Sequence, residues 1–168
     1  MLFLISAWGR VAAGGHSSLC GQGVIRGLPT VFVEDPQNKV FMKRAIRRQN
    51  LGDEFYTPEG CHIIEVSNSS DDPDTSIARA RLEAGKTTRW HRLVETAERY
   101  VILQGQGRVE IGSLPPAEVS VGDVALIPPM CRQRITNTGP DDLIFLAICT
   151  PRFSYDAYED INDNPGEK

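Results

Sequence analysis

From Met42 onward the apolar residues fall into short runs at 61–66, 76–82, 87–94, 98–103, 107–111, 124–127, 133–137 and 143–149. Each run is of strand length, and none repeats apolar residues at helical spacing over the roughly 10 residues a helix needs. The stretches between them, 67–73, 105–107, 112–116, 128–129 and 138–142, are rich in Gly, Pro, Ser, Asn or Asp. Those residue types stabilise turns, so the pattern predicts strands joined tightly to one another. Such a series predicts an all-β sandwich or barrel.

The text before Met42 differs. Residues 12–23 are mostly glycine and small residues without sustained periodicity, followed by one strand-like run at 30–33 and a turn signal at Asp35 and Pro36. Met42, Lys43 and Arg44 would themselves make an ordinary protein start. The expectation is a β domain over 42–161, with 1–41 an extension from an upstream start codon or a flexible arm. The aromatics Phe153, Tyr155 and Tyr158 are expected to pack across a barrel end, and 162–168 to form a disordered acidic tail.

Composition narrows the function classes. With 168 residues, 40% apolar and 24% charged, the chain fits one globular domain whose core needs neither disulfides nor a structural metal. A net charge of −4 with scattered basic residues argues against a nucleic-acid partner. The cluster Lys43, Arg44, Arg47 and Arg48 is followed by Asp53 and Glu54 and reads as a solvated edge. No apolar run approaches the ~20 residues of a membrane span. The start of the chain faintly resembles a secretory signal, but Arg10 interrupts it and the preceding positive charge is missing. Cys20, Cys61, Cys131 and Cys149 form no CxxC pair, which points to reduced thiols and a cytoplasmic location. Gly105 and Gly107 flank a hairpin turn rather than a phosphate loop, and no serine or cysteine has the histidine partners of a triad.

One region carries a specific spacing: Gly85, five residues, His91, one residue, Leu93, four residues, Glu98, six residues, Gly105. Further on come Gly122, Pro128, Met130, Gln133 and Asn137. These resemble the two motifs of the cupin superfamily, in order and separated by the 16 residues between Gly105 and Gly122. Leu93 stands where the family pattern has its second histidine, Met130 where it has a glycine, and Gln133 where it has its third histidine. The resemblance implies a jelly-roll barrel, the double-stranded β-helix.

Strand alternation places Arg89, His91 and Leu93 on one face, Glu98, Tyr100 and Ile102 on another, and Cys131, Gln133 and Ile135 on a third. If each set points inward, His91, Glu98 and Gln133 converge on one interior spot. The resemblance makes that spot a divalent-metal site, with Fe, Mn, Ni or Zn suited to imidazole and carboxylate. An amide is a poorer ligand and Leu93 supplies none, so the alternative is a hydrogen-bonded cluster of the same three residues. Cys61 or His62 could complete a metal shell. Arg89 would hold a carboxylate or phosphate of a ligand, or else pair with Glu98 or Glu95. Tyr100 and Gln133 are further candidate ligand contacts.

The implied function is binding of a small polar molecule inside the barrel. The enzyme readings are a sugar or sugar-phosphate isomerase or epimerase with Glu98 as acid/base, and, less favoured, a metal-dependent dioxygenase. A homodimer is expected, on the ground that the 61–66 and 76–82 strands could lie at an edge that needs covering.

Overall fold

The computed structural model describes residues 42–162, and the expectations for 1–41 and for 163–168 lie outside it. The described residues form eleven strands: β1 (Phe55–Tyr56), β2 (His62–Ser67), β3 (Ser76–Leu82), β4 (His91–Leu93), β5 (Ala97–Gln104), β6 (Gln106–Ile111), β7 (Ala117–Ser120), β8 (Val124–Ile127), β9 (Gln133–Asn137), β10 (Leu143–Thr150) and β11 (Tyr158–Asp160). They make two antiparallel sheets, β1-β2-β3-β10-β5-β8 and β11-β4-β9-β6-β7. The inner faces alternate as a half-buried sheet demands: Glu98, Tyr100 and Ile102 are buried on β5, and Gln133, Ile135 and Asn137 on β9. Tyr100, Ile102, Ile135, Leu143 and Phe145 fill the space between the sheets. The all-β expectation is met.

Three strands carry no apolar signature. β1 and β7 are short edge strands with largely exposed side chains, and β11 is the acidic-flanked segment that returns to pair with β4 through Tyr158 and Leu93. The 87–94 run is strand only at His91–Leu93, with an isolated bridge from Thr87 to Thr136. The edge expectation is corrected for 76–82, since β3 lies between β2 and β10; of 61–66, β1 pairs with His62 and Ile63 only. The two edge strands of that sheet are β1 and β8.

The motif residues that are not ligand types have structural duties. Gly105 sits at φ +80°, and a Cβ there would lie 2.9 Å from the Asp142 carbonyl oxygen. Asn137, fully buried, donates from Nδ2 to the carbonyls of Leu82 and Asp141, 2.8 Å each, and accepts from Gly139 N–H at 2.9 Å. It ties the end of β3 to the β9–β10 turn. Met130, at the glycine position of the motif, has φ +63°.

The segment before β1 lies against β2 and β3. Glu54 accepts from Arg79 and Arg81, and Arg81 also donates to Asp142, so one guanidinium clasps the entry strand and the β9–β10 turn. The Arg81 bond holds the Glu54 carboxyl below its usual range.

Candidate functional site

A cavity of about 150 Å³ lies against the β1-β2-β3-β10-β5-β8 sheet, with Tyr158 of β11 the other sheet's contribution to its wall. Its floor is made by Ala80, Glu98, Tyr100, Phe145, Ala147 and Cys149 from β3, β5 and β10. Exposed Phe55, Pro58 and Tyr155 mark its rim. Phe153 is set over it because its N–H donates to Ser76 Oγ at 2.9 Å. Tyr158 arrives on β11, whose neighbours Glu159 and Asp160 pair with Arg92 and Arg89 and so fasten the strand to the barrel.

Glu98 is the buried charge of this cavity. Its Oε2 accepts from Gln133 Nε2 at 2.6 Å, and Cys149 Sγ lies 3.8 Å from Oε1. Burial pushes the carboxyl up to about 7; His91 opposes this, Glu59 adds to it, and the Gln133 bond opposes it. Burial likewise pushes up the thiols of Cys61 and Cys149 and the hydroxyls of Tyr100 and Tyr158, which keeps all four protonated near neutrality. Two polar atoms here have no hydrogen-bond partner among the described residues: Gln133 Oε1 and the Tyr158 hydroxyl.

His91 stands behind the wall. Its Nδ1 lies 2.9 Å from the Arg89 carbonyl, which fixes the proton on that nitrogen and turns Nε2 toward Glu59 Oε1 at 3.5 Å. Its ring stacks on Tyr158 with centroids 5.4 Å apart. Backbone pairing sets His91 opposite Gln133, so the sequence does bring His91, Glu98 and Gln133 to one region. Glu59 is the residue that sequence reasoning missed. It sits in the turn between β1 and β2, outside both motifs, and the bond from Arg89 N–H to its carbonyl, 2.8 Å, ties that turn to the start of β4.

Three expectations are corrected. Arg89 does not point into the barrel: β4 starts at His91, so strand parity does not reach Arg89, and its guanidinium pairs with Asp160 rather than with Glu98 or Glu95. His62 does not approach the site, because it faces Glu54 and Glu83 at 3.6 and 3.4 Å on the other side of β2. Cys61 does line the cavity, but as a buried thiol beside Thr57, not as part of a ligand shell.

The donors do not fit a divalent metal. Gln133 turns its N–H, not its oxygen, toward Glu98, and Leu93 fills the second histidine position with a buried isobutyl group. Among the described residues, no group of three or more His, Cys, Asp or Glu side chains is arranged to hold an ion. Of the three residues, Glu98 and Gln133 are hydrogen-bonded to each other, while His91 bonds to the Arg89 carbonyl.

Comparison with known proteins agrees with this architecture. A cupin domain profile matches residues 78–149. An uncharacterized protein of Methanocaldococcus jannaschii is 32% identical over 107 residues, 62% of this chain and 85% of that one. Among solved structures, the nucleoside dehydratase Pac13 of Streptomyces superposes with a TM-score of 0.58 at 15% identity, covering 70% of this chain and 92% of its own. KdgF from Halomonas sp. superposes with a TM-score of 0.59 at 17% identity, covering 67% and 97%. The two motifs, the paired antiparallel sheets and these relatives lead to one conclusion: the chain belongs to the cupin superfamily.

Proposed function

We propose that this barrel binds a small organic molecule in the cavity and moves a proton on it through Glu98, without a metal. One observation carries the reading: a buried carboxyl, held near a pKa of about 7, forms part of a cavity wall in which apolar and aromatic side chains predominate. A carboxyl poised there is both an adequate acid and an adequate base at neutral pH. The Tyr158 hydroxyl supplies the complementary group, a protonated donor whose ring is fixed by stacking on His91 and whose hydroxyl has no partner among the described residues. Together they suit an isomerisation, epimerisation or elimination in which one hydrogen leaves carbon while a neighbouring oxygen is hydrogen-bonded. Pac13, a nucleoside dehydratase on the same fold, supports the elimination branch of that class.

The test is an NMR titration of the Glu98 side-chain carbon, with Glu98→Gln to assign the signal. A midpoint near 7 that moves when a panel of neutral ring compounds, uridine included, is added supports the reading. An ordinary midpoint near 4.5, or one indifferent to every compound that binds the cavity, overturns it.

A further inference from the structure

The residues lining the cavity include buried Glu98, half-buried Glu59 and, at the exposed mouth, Glu65, and, among the described residues, no lysine, arginine or histidine. Of the guanidiniums near the cavity, Arg79 and Arg81 pair with Glu54, Arg89 with Asp160 and Arg92 with Glu159, while exposed Arg152 donates to the Asn68 side chain at the mouth, outside the lining. His91 lies behind Glu59 rather than on the surface of the cavity. The rest of the wall is uncharged and mostly apolar or aromatic, with Thr57, Asn68 and Ser76 its polar members and Tyr100, Phe145 and Tyr158 presenting rings.

An anionic ligand would bring its charge among like charges in a partly desolvated site, with no countercharge to replace the water it leaves. A ligand with N–H or O–H groups would instead find carboxylate acceptors, and a cationic one would find both acceptors and ring faces. On this ground we infer that the cavity selects uncharged or cationic ring compounds bearing hydrogen-bond donors and rejects phosphate esters and carboxylates. The inference rests on the reading that the cavity is the ligand site. It replaces the sugar-phosphate class that the sequence resemblance implied.

Matched pairs test it, each sharing one body and differing in charge: uridine against uridine 5′-monophosphate, and tyramine against 4-hydroxyphenylacetate. Binding is followed by chemical-shift changes at Tyr100, Ala147 and Tyr158. The expected result is a preference of about hundredfold for the uncharged or cationic member of any pair that binds, equivalent to about 2.7 kcal/mol. Glu59→Gln and Glu65→Gln should each narrow that preference by improving the anion. Anions that bind the cavity as well as their partners overturn the inference while leaving the cavity-binding reading intact. If no member of either pair shifts the cavity signals, the cavity-binding reading fails, and this inference fails with it.

Discussion

Gln133 donates to Glu98 across the barrel at 2.6 Å, between β9 and β5, and both side chains are buried. The bond partly compensates the carboxylate for lost water, yet the carboxyl remains raised to about 7 from 4.5. Between those two values the folded chain holds a proton that the unfolded chain has released, so stability falls as pH rises through that window. The shift corresponds to on the order of 3 kcal/mol. Glu98→Gln removes the buried charge and should raise the melting temperature relative to wild type above pH 7, with the gap closing below about pH 4.5. Thermal melts across that range check it; a gap independent of pH would show that Glu98 is not the titrating group.

Metal dependence follows from the donor set. Chelator should leave the melting curve of the wild type unmoved. Leu93→His combined with Gln133→His restores the two imidazoles that the family pattern has, beside His91 and Glu98. That double variant should bind Ni²⁺ at least tenfold more tightly than wild type, about 1.4 kcal/mol by calorimetry. Equal affinity in the two proteins would mean that position 93 does not face His91 and Glu98.

Met130 occupies a left-handed backbone conformation, φ +63°, with half of its surface exposed. An L side chain there costs on the order of 1 kcal/mol, and little packing would be lost with it. Met130→Gly should therefore stabilise the fold by about 0.5 to 1 kcal/mol after the added chain entropy is subtracted. Denaturant unfolding reads this directly, and a destabilised variant would contradict it.

The homodimer expected from the sequence now has a different basis. β8 is an exposed edge, and Val124 and Leu126 on it, with Leu103 at the end of neighbouring β5, are 53%, 67% and 46% exposed. An apolar stripe beside an open strand edge is a self-complementary surface. Light scattering should give a dimer mass at micromolar concentration, and Leu126→Glu should give a monomer of unchanged fold. A monomeric wild type refutes the proposal.

What the sequence displayed depended on burial. β3, β8 and β9 are found where the apolar runs begin and end, because each has one face in the core and the alternation records it. β1 and β7 left no such record, since each is a short edge strand with largely exposed side chains. At the site, His91, Glu98 and Gln133 were legible from motif spacing and strand parity. Arg89 was misplaced because parity was extended past the point where regular strand begins. Glu59 and Glu65 had no legible role: one sits in a turn joined to Arg89 by a backbone bond across 30 residues of sequence, and the other is an exposed residue at the cavity's mouth.

The cavity wall draws on both ends of the described chain. Phe55, Glu59 and Glu65 come before residue 78, and Phe153, Tyr155 and Tyr158 come after residue 149, so they fall outside the stretch that matches the cupin domain profile. Glu98, Tyr100, Phe145 and the alanines of the floor lie inside it. Two relatives that agree throughout the matched stretch therefore share the scaffold and the floor of the cavity, but need not share the segments that complete its wall. Exchanging the 55–65 and 153–160 segments between two such proteins should exchange their selectivity while leaving each barrel as it was.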